Sequence, residues 1–142
     1  MNLLVLHGPN LNLLGEREPD VYGHVTLIQI NAELQRRARA AGWGFKALQS
    51  NSEGVLVDRL QAERRWATGI LFNPGALTHT SYVLAETVAA LGIPTIEVHL
   101  SDIRAREPWR RVSRIASSCL SQISGEGAES YYAGFEALRS LG

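Results

Sequence analysis

Cysteine is almost absent from this sequence, and the shortage excludes a disulfide-stapled fold. Cys119 is the single cysteine in 142 residues, so no intramolecular disulfide can form. A chain of this kind fits a reducing compartment such as the cytoplasm. Free cysteines are among the residues most often buried, and we therefore interpret Cys119 as a small core side chain rather than a nucleophile.

Lysine is equally scarce, which bears on the chemistry available to the chain. Thirteen of the fourteen basic residues are arginine, and Lys46 is the exception. An enzyme that forms a Schiff base needs a lysine amine at its reacting centre. Lys46 lies in the apolar stretch 45–48, where we expect it to be the outward-facing, solvated residue of a strand. Imine chemistry is therefore disfavoured.

Neither sign of charge is in excess, and no apolar run is long. Lys+Arg and Asp+Glu number 14 each, so no overall field attracts nucleic acid or an anionic membrane. No stretch approaches the roughly eighteen apolar residues of a membrane span. The N-terminal apolar run ends at Leu6 and lacks the basic region of a signal peptide. We expect a cytoplasmic protein that binds neither nucleic acid nor a membrane, and weak mutual repulsion leaves self-association open.

Signatures of nucleotide and zinc sites are missing as well. The sequence contains neither G-x-x-x-x-G-K-[ST] nor H-E-x-x-H, and its four histidines are scattered. Residues 125–127 (Gly-Glu-Gly) lack the third glycine of a dinucleotide fingerprint, and we interpret them as a tight turn. We therefore expect neither a cofactor nor a metal.

The length and the composition predict one globular unit. The 142 residues are 45% hydrophobic and 20% charged, which is ordinary globular usage. A chain of this mass buries about two-thirds of its surface on folding, enough for a core without disulfides or metal. We expect residues 1–142 to form a single catalytic domain.

Apolar runs alternate with amphipathic segments along the chain. Strands are predicted at 3–6, 44–49, 70–72, 93–98 and, more weakly, 119–124. Helices are predicted at 27–41, 53–66, 79–91 and 128–141. This alternation favours an α/β fold in which a parallel sheet is covered on both faces through right-handed crossovers.

Two long connections, 8–25 and 100–118, each follow a predicted strand. Both therefore open at the carboxyl edge of the sheet, where open α/β proteins bind ligands. The polar residues predicted at this edge come from three strand ends: Asn10, Asn12, Arg17, Glu18, Tyr22, Asn73, His79, Thr80, Ser81, Glu97, His99, Ser101, Arg104, Arg106 and Arg110.

Two pairs in this set indicate proton transfer. Glu97 and His99 are two residues apart on a predicted strand, so they share a face, and the carboxylate can orient and charge the imidazole. Tyr22 follows Arg17 closely, and guanidinium charge stabilises a phenolate. A hydrogen-bonded structural histidine and a tyrosine that anchors its loop are the simpler interpretations of the separate residues. Together the pairs indicate proton abstraction beside a carbonyl without a cofactor.

Five ordered blocks carry a resemblance to a known family. Residues 7–15 (HGPNLNLLG), with Arg17-Glu18-Pro19 and Tyr22-Gly23, resemble the opening signature of type II 3-dehydroquinate dehydratases. Similar blocks follow in the family's order at 49–54, 73–81, 96–101 and 105–107, so the resemblance covers about residues 3–110.

The resemblance implies a flavodoxin-like three-layer fold with a five-stranded parallel sheet. It implies reversible dehydration of 3-dehydroquinate to 3-dehydroshikimate without a cofactor, on the shikimate route or in quinate breakdown. It also implies a homo-oligomer, a dodecamer built from trimers.

By position, the resemblance implies a role for each of five catalytic residues. Tyr22 resembles the base that removes a C2 proton, and Arg17 activates it. Asn10 resembles the residue that holds a water against the enolate. His99, oriented by Glu97, resembles the acid that protonates the departing C1 hydroxyl.

The implied substrate contacts come from the same blocks. Asn73, Leu100 and Ser101 resemble the residues that bind the substrate carboxylate, the latter two partly through backbone N–H groups. His79 and Arg110 resemble those that hold ring hydroxyls.

Some positions depart from the family pattern. Glu86 stands where the family generally has an aspartate that reaches a neighbouring subunit's site. Ser52 replaces a common histidine, Asp102 a common asparagine and Glu126 an apolar residue, and the segment 111–118 lacks the usual His-rich, Pro-containing character. These changes bear on assembly and affinity more than on reaction type. Two alternatives stay open: a non-catalytic flavodoxin-like binding module, and a lyase or isomerase acting on a related cyclic polyol acid.

Overall fold

A computed structural model describes residues 1–141, and Gly142 lies outside the described residues. Five strands form its sheet: β1 Asn2–His7, β2 Gly44–Gln49, β3 Gly69–Asn73, β4 Thr95–His99 and β5 Ser121–Ser124. All neighbouring strands are parallel, in the order β2-β1-β3-β4-β5. This order is the flavodoxin-like one, with its switch point between β1 and β3, and it confirms the predicted fold class.

Helices cover both faces of the sheet. They are α1 Pro19–Tyr22, α2 Leu27–Ala40, α3 Glu53–Ala62, α4 Tyr82–Leu91 and α5 Glu129–Arg139. One core cluster lies between the sheet and α2 and α5, and a second lies between the sheet and α3 and α4. Within residues 1–141 no helix combines the length and the apolar character that crossing a membrane requires.

Both faces of β1 are buried, which explains its uninterrupted run of apolar residues. Leu3 and Val5 pack into the cluster under α2 and α5, while Leu4 and Leu6 pack into the cluster on the other face. Alternate side chains of a strand point to opposite faces, and a parallel strand covered by helices on both sides buries each of them.

Hydroxyl side chains cap the N-termini of α2, α3 and α4. Thr26 and Gln29 form a reciprocal capping box at the start of α2. Ser52 accepts a hydrogen bond from the Val55 N–H at the start of α3, and Ser81 caps α4 in the same way. Ser81, which the sequence grouped with the polar edge residues, is buried and serves as a cap.

Some predicted bounds were wrong. The helix predicted at 53–66 ends at Ala62, and the helix predicted at 79–91 begins at Tyr82, because 3₁₀ turns occupy Gly75–His79 before it. The loop 8–25 contains α1 and a 3₁₀ turn at Leu11–Leu13, and the loop 100–118 contains three further 3₁₀ turns.

The single lysine and the single cysteine of the sequence, Lys46 and Cys119, lie away from the carboxyl edge of the sheet. Lys46 on β2 forms an ion pair with Glu63 at 2.9 Å, and its Nζ lies 4.3 Å from the centre of the Trp66 ring. Cys119 is half-buried against the core under α3 and α4. Burial, with a smaller contribution from the charge of Glu97, raises the pKa of the Cys119 thiol to about 12. The thiol is therefore protonated at neutral pH, as suits a packing residue.

Candidate active site

Two glycines bring the ends of β1 and β3 together. A Cβ on Gly8 would lie 2.2 Å from the Pro74 carbonyl oxygen, and one on Gly75, whose φ is +62°, would lie 2.9 Å from the Pro9 oxygen. The Gly8 N–H donates to the Asn73 carbonyl at 2.7 Å. Only glycine permits this approach, and the joined loops form one side of a cleft at the switch point of the sheet.

The space inside the cleft is about 650 Å³, including the part open to solvent. Its lining residues come from the first, third and fourth strand ends and from the long loops: Pro9, Asn10, Leu11, Arg17, Tyr22, Asn73, Gly75, Ala76, His79, His99, Leu100, Ser101, Ile103, Arg106 and Arg110. The set includes every residue for which the sequence predicted a catalytic or binding role except Glu97 and Glu86.

The Tyr22 hydroxyl lies between two guanidinium groups. It accepts hydrogen bonds from Arg17 Nη2 at 2.8 Å and from Arg106 Nη1 at 3.0 Å. The Arg17 guanidinium also lies 4.0 Å from the centre of the ring, and only 8% of the tyrosine is exposed. Two guanidinium groups therefore donate to the one hydroxyl oxygen.

Of the two arginines that contact Tyr22, Arg106 is the one to which the sequence analysis assigned no role. It is 84 residues from Tyr22 in the chain, so no local spacing connects them. Its Nη1 also donates to Ser101 Oγ at 3.4 Å, which links the tyrosine to the wall that follows β4.

Glu97 and His99 form a buried pair on β4. His99 Nε2 lies 2.6 Å from Glu97 Oε2, and the two side chains share a face of the strand as predicted. Glu97 is fully buried behind the cleft, while His99 lines it. Because Glu97 holds Nε2, Nδ1 is the ring nitrogen that remains for a ligand.

Two hydroxyl groups complete the surroundings of the Glu97 carboxylate. Thr78 donates a hydrogen bond to it, and Ser113 Oγ lies 2.9 Å from both oxygens. Burial raises the pKa of Glu97, but the hydrogen bond and charge of His99, with the bonds from Thr78 and Ser113, outweigh it, so this pKa lies below its usual range. Glu97 is therefore an anion at neutral pH, buried against the His99 ring. Sequence reasoning missed both hydroxyls, because no spacing connects them to Glu97.

His79 and Arg110 form another wall. His79 Nδ1 lies 2.6 Å from the Val112 carbonyl, to which it donates, and its ring meets Trp109 edge-on at 5.4 Å. Burial is the main cause that lowers the pKa of His79. Arg110 is paired with Glu107, and its guanidinium lies 4.2 Å from the centre of the Trp109 ring. The wall therefore presents a neutral imidazole and a cation.

Asn10 adopts a left-handed backbone conformation, with φ of +70°. Asparagine tolerates this region better than most residues do. Its N–H donates to Asn51 Oδ1 at 3.0 Å, and Gln49 Nε2 donates both to that oxygen and to the Gly8 carbonyl, at 3.1 Å each. The 49–51 segment thereby holds the first loop at the mouth of the cleft.

Glu86 lies on the exposed face of α4, outside the cleft of its own chain. Tyr82 and Val83 on the same helix are 67% and 53% exposed. The predicted contact of Glu86 with a neighbouring subunit stays a prediction.

Five other polar residues predicted at the edge are not part of the cleft lining: Asn12, Glu18, Thr80, Ser81 and Arg104. Within residues 1–141 no three His, Cys, Asp or Glu side chains are grouped so that they can hold a metal ion.

Comparison with known proteins gives concordant matches. The family model for dehydroquinase class II matches residues 1–139. The chain is 54% identical over 138 residues to the 3-dehydroquinate dehydratase of Roseiflexus castenholzii, covering 97% of this chain and 88% of the relative. It is 50% identical over 138 residues to that of Geotalea daltonii, covering 97% and 96%.

Solved structures agree with these matches. The type II dehydroquinase from Butyrivibrio crossotus superposes with a TM-score of 0.95 at 35% identity, covering 98% of this chain and 97% of that one. The type II dehydroquinase from Propionibacterium acnes gives a TM-score of 0.90 at 34% identity, covering 99% and 94%.

Proposed function

Because this chain belongs to the class II dehydroquinases, we propose that its cleft dehydrates 3-dehydroquinate with a tyrosine base and a histidine acid. One observation carries the proposal: the Tyr22 hydroxyl, held by Arg17 and Arg106, opens into the same cleft as His99, which is paired with Glu97. A stabilised phenolate and a carboxylate-paired imidazole are the two groups that this elimination needs.

The first step is removal of a proton from C2, next to the ketone. The Tyr22 phenolate takes the proton and becomes the neutral phenol, while the electron pair of the C–H bond forms an enolate. Arg17 and Arg106 stabilise the phenolate before the transfer. Asn10 holds a water that donates to the enolate oxygen, and donors already aimed at developing charge lower the barrier.

The second step is loss of the C1 hydroxyl. The enolate electrons form the C1–C2 double bond as the C–O bond breaks, and His99 donates a proton so that water leaves. The product is 3-dehydroshikimate, a conjugated enone. Glu97 orients the imidazole and favours its charged form.

Substrate binding is assigned to the walls of the cleft. The Asn73 amide and the backbone N–H groups of Leu100 and Ser101 bind the carboxylate, and His79 and Arg110 hold ring hydroxyls. Support comes from position, because all five residues line the cleft.

The assembly is a further part of the proposal. We expect a homo-oligomer, a dodecamer of trimers, in which Glu86 approaches the cleft of a neighbouring copy. The exposed Tyr82 and Val83 beside it are suited to burial against another chain. Residues 1–142 act as one catalytic domain in the cytoplasm, on the shikimate route, without a nucleic-acid or membrane partner.

The experiment is to add 3-dehydroquinate to the purified protein and to follow the enone absorbance of 3-dehydroshikimate. Tyr22→Phe should nearly abolish turnover and leave the binding of a substrate analogue largely intact. Tyr132→Phe is the matched control, because that tyrosine packs in the core under α2 and α5, outside the cleft lining.

Three results would contradict the proposal. Retention of more than a tenth of turnover by Tyr22→Phe would remove the base. Binding without turnover in the unmodified protein would indicate a binding module. Turnover of a different cyclic polyol acid alone would indicate another lyase or isomerase.

A further inference from the structure

Three polar side chains behind Asn73 have no role in the steps above: Tyr131, His7 and Asn31. Tyr131 on α5 lies between the paired ends of β1 and β3, with its hydroxyl 2.8 Å from His7 Nδ1 and 3.0 Å from Asn73 Nδ2. His7 Nε2 lies 2.7 Å from Asn31 Oδ1 on α2. His7 and Tyr131 are fully buried, and Asn73 is 2% exposed.

The backbone N–H of Gly75 determines which atom donates in each hydrogen bond of this group of side chains. The Gly75 N–H donates to Asn73 Oδ1 at 3.1 Å, which assigns Nδ2 to the side of Tyr131. The Tyr131 oxygen accepts from Nδ2, so its own hydrogen goes to His7 Nδ1. His7 therefore carries its hydrogen on Nε2 and donates it to Asn31 Oδ1. Burial lowers the pKa of His7 to about 4, so the ring remains a neutral acceptor at neutral pH.

The consequence concerns the second hydrogen of the Asn73 amide. Asn73 Nδ2 carries two hydrogens, and Tyr131 takes one of them. Gly75 prevents the amide from flipping, and Asn73 lines the cleft. The remaining N–H is thus a donor held in place before a ligand arrives, which lowers the entropic cost of binding.

We propose that Tyr131, with His7 as the acceptor of its hydrogen, is a positioning residue that aims the free Asn73 N–H at the substrate carboxylate. This inference rests on the proposed function, in which Asn73 binds that carboxylate. Neither Tyr131 nor His7 touches the substrate, since both are fully buried behind Asn73.

The first test is Tyr131→Phe, which removes the hydroxyl and keeps the ring. We expect KM for 3-dehydroquinate to rise about three- to tenfold, the effect of one hydrogen bond, while kcat stays within about twofold. Tyr132→Phe removes a hydroxyl one residue further along α5 and should leave both constants unchanged. A fall in kcat at unchanged KM would contradict a positioning role.

The second test combines Tyr131→Phe with Asn73→Ala in one variant. If Tyr131 acts through Asn73, then Asn73→Ala raises KM by itself and the added Tyr131→Phe raises it no further. Full additivity of the two effects, or no effect of Tyr131→Phe alone, overturns this inference and leaves the proposed function standing. An unchanged KM in Asn73→Ala removes the carboxylate contact from the proposed function as well.

If Tyr131→Phe does not fold, Asn31→Ala is tested in its place. Asn31 is only half-buried, and it lies at the far side of His7 from Tyr131. Removing the acceptor of the His7 hydrogen should raise KM about twofold, and only when Asn73 is present. An unchanged KM in Asn31→Ala would then overturn the inference.

Discussion

Replacing Glu97 by glutamine tests whether a buried charge tunes the proposed acid. Glu97 Oε2 accepts from His99 at 2.6 Å, from Ser113 at 2.9 Å and from Thr78, while Oε1 accepts from Ser113 alone. A glutamine that places its oxygen at the Oε2 position keeps an acceptor for all three donors. The substitution therefore removes the charge and leaves the shape.

The magnitude follows from the difference between charged and neutral hydrogen bonds. A bond to a charged group contributes about 1.5–3 kcal/mol and a neutral one about 0.5–1.5, so roughly 1–1.5 kcal/mol is lost. A difference of about 1.4 kcal/mol corresponds to a factor of about ten in rate. We expect the limb of the pH–rate profile on which the acid loses its proton to move to lower pH. At neutral pH kcat should fall up to about tenfold, and KM should change little because Glu97 does not line the cleft.

The assay measures kcat as a function of pH from the enone absorbance, for the unmodified protein and for the variants Glu97→Gln and Glu63→Gln. Glu63→Gln is the matched control, since it removes a nearly buried carboxylate that is paired with Lys46 outside the cleft lining. That variant should keep the original profile. A profile unchanged in Glu97→Gln would refute the reasoning, because the carboxylate would then orient the imidazole without tuning it.

Three further predictions concern imine chemistry, stability and assembly. Lys46→Met should remain active, borohydride with substrate should not inactivate the unmodified protein, and covalent trapping of substrate on Lys46 would overturn the mechanism. Burial lowers the pKa of His7 from 6.5 to about 4, so the unfolded chain binds more protons between these values. The contribution of neutral His7 to the free energy of unfolding is therefore fully present above about pH 6.5, and up to about 3 kcal/mol is lost as the pH falls to about 4. Denaturant titrations at several pH values should show this loss, and the loss should be smaller in His7→Gln. Light scattering should give a mass far above 15.6 kDa, and Glu86→Asp should lower KM or leave it unchanged. A fully active monomer, or a large rise of KM in Glu86→Asp, would contradict the shared site.

Local patterns predicted the framework because the interactions behind them are local. The run 3–6 lies inside β1, and the spacing of two residues between Glu97 and His99 is enough to place them on one face of β4. The ends of helices were harder to predict. The helix predicted at 53–66 ends at Ala62, where the charged residues 63–65 (Glu-Arg-Arg) interrupt the apolar spacing of Leu56 and Leu60.

The sequence by itself determined the order of strands and helices, the edge of the sheet at which the polar side chains gather and the two pairs suited to proton transfer. Each of these follows from periodicity or from residues a few positions apart. Tertiary structure alone decided the partners of these groups, because they are distant in the chain. Arg106 reaches Tyr22 across 84 positions, and Tyr131 reaches His7 across 124. Such contacts depend on which faces of the strands and helices meet, and burial then acts on them by making an unpaired polar group costly.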